Sequence, residues 1–117
     1  MIEPEIVRVI GALVGGKVFP DTAPGGTTPP YAIYQQIGGR KISTLENAPT
    51  GRRNGRFQIN VWAKTRAQAS TLSRAIEVAL QTDPAVFADP IGELASDHDD
   101  AVQLYGAVQD FSISWDD

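Results

Sequence analysis

The stretch "GALVGGKV", residues 11–18, nearly spells the phosphate-loop pattern G-x-x-x-x-G-K-[ST]. In such a loop, backbone N–H groups cradle phosphates, the lysine meets the outer phosphates and the hydroxyl holds magnesium. Gly11, Gly16 and Lys17 fit, but Val18 stands where the hydroxyl is needed. The loop must also follow a strand and open a helix, so that the helix N-terminus faces the anion. Here a helix comes first. Pro4 suits a first helical turn, Glu3 and Glu5 favour the positive end of its dipole, and Ile6, Val9, Ile10 and Leu13 recur at helical spacing. Gly15 and Gly16 are therefore expected to stop that helix rather than to hold a nucleotide.

His98 is the single histidine, and "SDHDD" surrounds it with Asp97, Asp99 and Asp100, oxygen donors of the kind a hard cation takes. The central glycine and distal glutamate of a calcium loop are missing, and a solvated turn accounts for the segment. Ser96 and Asp97 adjoin His98, yet one histidine supports no catalytic dyad or triad. The sequence predicts no enzyme, no metal site and no cofactor. A third cluster, Arg40, Lys41, Arg52, Arg53 and Arg56, could attract phosphates. It lacks interleaved aromatics for base stacking and sits in a chain of net charge -4, so specific nucleic-acid binding is not expected. A solvated charged hairpin is the commonest reading of such a cluster, and an electrostatic protein interface is the sharper alternative.

The charge is unevenly spread. Lys17, Arg40, Lys41, Arg52, Arg53, Arg56, Lys64 and Arg66 face only Asp21 and Glu46 between positions 17 and 66. Beyond Arg74 there is no lysine or arginine, while Glu77, Asp83, Asp89, Glu93, Asp97, Asp99, Asp100, Asp110, Asp116 and Asp117 accumulate. A basic excursion on one copy could meet the acidic half of the next, a head-to-tail contact of the kind that closes into rings. The alternative is pairing of the two halves within one monomer, where surface ion pairs contribute only about 0–1 kcal/mol each.

The elements that must carry these residues follow from periodicity. A chain of 117 residues predicts one domain, 1–117, able to fold without disulfides, and the sequence has no cysteine. The N-terminus lacks the basic head of a secretory signal, and the apolar run 9–16, between Arg8 and Lys17, is shorter than the ~20 residues that span a bilayer, so a soluble protein is expected. After the first helix, "KVFPDTAPGGTTPP" is a connector in which Val18 and Phe19 can form a short strand. "YAIYQQIG" alternates as a strand. Residues 38–55, rich in glycine and basic charge, are expected to form a long loop. "RFQINVWAK" follows as a half-buried strand with Phe57, Ile59, Val61 and Ala63 inward and Trp62 on the wetter face. Thr65 and Gln68 have capping-box spacing, and Ala69, Leu72, Ile76, Ala79 and Leu80 form the stripe of a second helix ending near Asp83-Pro84. The tail carries Val86, Phe87, Ile91 and Leu94, then "SDHDD" as a hairpin turn or loop. Val102 to Leu104 with Val108 to Trp115 then form a bent strand, with a bulge or change of face at Gly106 and with Phe111, Ile113 and Trp115 inward. The expected fold is α+β, two-layer, with an antiparallel four- to five-stranded sheet and two helices, the second packed across one face.

In this order the segments "KVFPDTAP", "PPYAIYQQIG", "RFQINVWAKTRAQASTLSRAIEVAL" and "VQDFSISW" resemble the small tail completion proteins of tailed bacteriophages, the group that includes tail terminators and tail-to-head joining proteins. The resemblance implies a non-enzymatic virion component, assembled in the bacterial host cytoplasm and located at the neck end of the tail. It implies a homo-oligomeric ring, a hexamer, that stops growth of the tail tube, with the tail tube protein and a head-tail connector protein as partners. DNA would pass through such a ring, whether in an infectious phage, a prophage or a gene-transfer particle. By that analogy the excursion 38–55 reaches toward a neighbouring subunit or the tube lumen, with Arg40, Lys41, Arg52, Arg53 and Arg56 as the contact residues. The competing expectation is a host-encoded soluble binding module of the same α+β type, holding a small ligand between sheet and loop near Tyr31, Tyr34 and Trp62.

Overall fold

Helix and strand patterning resolve into seven elements in a computed structural model that describes residues 1–42 and 50–116. Helix α1 (Glu3–Gly11) is followed by strands β1 (Val18–Pro20), β2 (Tyr31–Gly38) and β3 (Arg52–Ala63). Helix α2 (Arg66–Thr82) and strands β4 (Asp89–Asp99) and β5 (Leu104–Asp116) complete the order. One sheet runs β1-β2-β3-β5-β4, antiparallel except that β1 pairs with β2 in parallel. Both helices cover the same face, which gives the expected two-layer α+β arrangement.

The alternation of β3 decides which face is covered. Phe57, Ile59, Val61 and Ala63 are buried and stand across from Phe111, Gln109, Ala107 and Tyr105 of β5. Ala32 and Tyr34 of β2 extend the same face. Ile6, Val9 and Ile10 of α1, with Ala69, Ile76 and Leu80 of α2, close over it. Each fully buried aliphatic or aromatic side chain here contributes roughly 1.5–3 kcal/mol by leaving water. Helix α2 begins as its sequence requires, with the Thr65 hydroxyl accepting from the Gln68 N–H at 3.1 Å, and ends before Asp83-Pro84. Among the described residues no helix is long and apolar enough to cross a membrane.

Several expectations need correction. Helix α1 stops at Gly11, and Leu13 lies in the turn beyond it, where Gly15 and Gly16 adopt φ of 63° and 79°. Lys17 is committed to the fold, its Nζ donating to the Thr28 carbonyl at 2.7 Å and so pinning the proline- and glycine-rich connector. Residues 38–55 are not all loop. Strand β3 starts at Arg52 rather than Arg56, so Arg52 and Arg53 are strand residues, because β5 supplies backbone partners as far as Asp116 and a ladder needs no apolar side chains. Residues 43–49 of that excursion, including Glu46, lie outside the described residues, as does Asp117.

The segment "SDHDD" is likewise strand up to Asp99, and the turn follows at residues 100–103, with Val102 exposed in it. An edge strand tolerates this charge because its outer rim faces water. Gly106 carries no bulge in β5. Its lack of a side chain makes room for Trp62, whose ring would lie 2.9–3.1 Å from a Cβ there. The irregularities fall elsewhere, in β4 between Ile91 and Ala95 and in β2 between Gln36 and Gly38.

Candidate assembly surface

The sheet is long and narrow, within a molecule of 52 × 25 × 23 Å, and its two edges differ in charge. On one side, β1 pairs with β2 only from Ala32 to Tyr34, so Gln35 to Gly38 form an open edge that leads into Arg40 and Lys41. On the other side β4 is the edge, and Asp89, Glu93, Asp97 and Asp99 are all exposed along it, with no lysine or arginine in the strand. Asp100 continues this acidic rim into the turn.

The basic cluster is partly drawn together. Arg40, Lys41, Arg52 and Arg53 line one open cleft of about 640 Å³ with Asn54 and Trp115, whereas Arg56 stands away from it. The Arg56 side chain donates from Nε and Nη2 to Asp110 Oδ2 at 3.0 and 2.8 Å, and Arg52 pairs with Asp116 at 3.2 Å. Pairing within the chain thus occurs at these two positions. Arg53 lies across from Trp115 on the other face of the ladder. Arg40 and Lys41 form no ion pair among the described residues.

Asn54 was not singled out by its sequence, yet it holds the basic tip in place. Its Oδ1 accepts the Arg40 backbone N–H at 3.0 Å, while its Nδ2 lies 3.0 Å from the hydroxyls of Ser112 and Ser114. An asparagine between arginines and glycines looks like a turn residue, and only its pairing with β5 reveals the anchoring role.

At the acidic rim the carboxylates serve the backbone. Asp97 accepts the His98 N–H at 2.8 Å and Asp99 accepts the Ala101 N–H at 3.0 Å, which shapes the turn. The His98 Nδ1 lies 3.0 Å from Asp100, and its ring packs on Tyr105, centroid to centroid 4.6 Å. Among the described residues no three histidine or carboxylate side chains are grouped to share a metal ion. Tyr31, Tyr34 and Trp62, the expected lining of a small-ligand site, do not converge. Tyr31 pairs with Trp62 on the uncovered face, and Tyr34 is buried on the helix-covered face. The Tyr34 phenol is pushed up from its ordinary pKa by burial and, to a lesser extent, by Glu3, consistent with a packing role there.

Residues 7–114, from within α1 almost to the end of β5, match the family described as tail completion protein gp17. The chain belongs to that family. Its place is accordingly a structural one in the bacteriophage tail. None of the curated proteins compared with the chain matches it. The match covers the acidic β4 edge and the open β2 edge alike, so the surface described above belongs to the family domain.

Proposed function

We propose that the protein terminates the tail tube and joins the tail to the head connector as a ring of identical copies, without catalysis, at the neck end of the tail. The reading rests on family membership together with one observation, the opposite charge of the two sheet edges. A contact between unlike edges is heterologous, since each copy offers its β4 edge to one neighbour and its β2 edge to another, and such contacts propagate until they close. Arg40 and Lys41 are the residues proposed to face the acidic rim of the next copy. Arg52 and Arg53 support them from the same cleft, and Arg56 acts chiefly by holding Asp110.

The tail tube protein and the head connector are the proposed axial partners, on the two sides of the ring. Assembly occurs in the host cytoplasm, and DNA passes the ring without base-specific contacts. Electron micrographs of the purified protein, alone and mixed with tube protein, provide the test. Closed rings, and tubes capped at one end, are the expected images. Solitary particles under both conditions would remove the ring from this reading.

A further inference from the structure

The sheet ladder brings an aromatic side chain to the basic cleft at the start of β3. Trp115 lies across from Arg53, and both line the cleft with Arg40, Lys41 and Arg52. Among the described residues its lining carries four cations and no carboxylate. Arg40 and Lys41 form no ion pair among the described residues. Arg52 pairs with Asp116, whose side chain is 86% exposed, and a pair that exposed yields to another anion at little cost. Two backbone segments form the mouth and are tied to each other. The Asn54 side chain accepts the Arg40 N–H at 3.0 Å, while the Thr50 hydroxyl donates to the Ile42 carbonyl at 3.2 Å and accepts the Arg52 N–H at 3.1 Å. Gly39 permits this approach, because at its φ of 148° a Cβ would run into the Asn54 carbonyl. The cations therefore stand on a mouth already formed, which lowers the ordering cost of binding. Its volume, about 640 Å³, lies within the range of about 300–1,000 Å³ that holds a molecule rather than a lone ion.

We infer that this cleft binds single-stranded nucleic acid without regard to sequence, its cations meeting phosphates and the Trp115 ring meeting a base. Cations along a groove with an aromatic face beside them are what such strands require, since phosphates are neutralised by charge and a π-face accepts any base. Three of the four cations are arginines, whose planar forks take phosphate oxygens in pairs. An acidic peptide would engage the same cations but carries no base to stack, so Trp115 favours the nucleic acid. The acidic strand β4 lies on the far edge of the sheet and contributes nothing to the lining. This inference goes beyond the ring reading and does not need it. A strand in the cleft occupies Arg40 and Lys41, the residues assigned above to a neighbouring copy, so nucleic acid and self-association are expected to compete for them.

Titration at low salt with an oligothymidylate of about ten nucleotides, a length within the site sizes such grooves take, is the test. In a Trp62→Phe chain Trp115 is the remaining tryptophan, so stacking is read directly as quenching of its fluorescence. Quenching is expected, with an affinity that falls as salt rises at a log–log slope of about −2 to −3, as four cations on a single strand would give. Lys41→Gln should weaken binding roughly threefold or more, whereas Lys64→Gln, the same change of charge at the other end of β3, leaves it unchanged. Trp115→Phe should keep most of the affinity and Trp115→Leu lose roughly fivefold or more. Tm is recorded for both, because this ring also lies beside Phe57, centroid to centroid 6.1 Å. Equal affinity for a polyglutamate of matched charge would make the occupant an acidic peptide and overturn the inference. So would equal weakening by Lys41→Gln and Lys64→Gln, or absence of binding at low salt. Rings formed by a chain with no affinity for the oligonucleotide would leave the ring reading standing and this one fallen, and binding without rings would do the reverse.

Discussion

At the scale of single residues, two glycines show how neighbours decide the cost of a methyl group. A Cβ at Gly55 would come 2.6 Å from Phe57 Cε2 and 3.2 Å from Trp115, and Phe57 is fully buried with nowhere to retreat. The three atoms nearest to a Cβ at Gly106, 2.9–3.1 Å away, all belong to the ring of Trp62, which lies half-buried on the uncovered face rather than in the core. Gly55→Ala is expected to lose roughly 1–3 kcal/mol in urea denaturation, and Gly106→Ala less than about 1 kcal/mol. Equal losses would mean that the open face is as rigid as the core. Asp83 supplies a second case. Arg8 donates to it at 2.9 Å and the Ala85 N–H at 2.9 Å, and these bonds, the Arg8 one foremost, hold its carboxyl below the usual carboxylate range. A depressed folded pKa stabilises above the unfolded value of about 4, and that stability is lost as pH falls through the folded value. The Tm deficit of Asp83→Ala should therefore be present at pH 7 and shrink in acid below about pH 4. A deficit independent of pH would assign it to something other than the carboxylate's charge.

At the scale of elements, what was legible in the sequence is what local chemistry determines. Helix α2 announces itself through Thr65 and Gln68 at one end and Asp83-Pro84 at the other. Thr65→Ala should cost about 1 kcal/mol, read as a fall in Tm of roughly 3–6 °C, and an unchanged Tm would deny the cap its role. Strand β3 from Phe57 to Ala63 was equally clear from its alternation. Arg52 to Gly55 were not, because their strand state depends on partners in β5 about sixty positions later, and no local pattern carries that information. Strand β4 was hidden for a related reason: an edge strand can be acidic and contain proline without losing its single ladder. The same limit applied to the candidate surface. The basic residues stood out by composition, but the ion pairs of Arg52 and Arg56 are a matter of register, and Arg40 and Lys41 form none among the described residues.

At the scale of the molecule, net charge says less than its placement. The carboxylates of β4 stand along one edge, Glu93 paired there with Arg74 at 3.4 Å, and Arg40 and Lys41 stand along the other, the width of a sheet apart, so the proposed ring would bring together charges that one copy keeps separate. Arg52 and Arg56, by contrast, already face Asp116 and Asp110. Two double variants separate these roles. Arg40→Glu with Lys41→Glu removes the charges that the proposed ring offers to a neighbour and leaves the ladder intact, so Tm should hold while association is lost. Arg52→Glu with Arg56→Glu sets like charges against Asp116 and Asp110 and should lower monomer stability by about 1–2 kcal/mol, given that pairs this exposed contribute about 0–1 kcal/mol each before repulsion is added. Sedimentation across a salt series completes the comparison, because an association steered by exposed charge weakens once the Debye length falls from about 10 Å at 0.1 M to about 3 Å at 1 M. The native chain should shift from assembled toward monomer over that range. If it sediments identically throughout, and the Arg40 and Lys41 reversal assembles as the native chain does, the charged edges do not drive assembly.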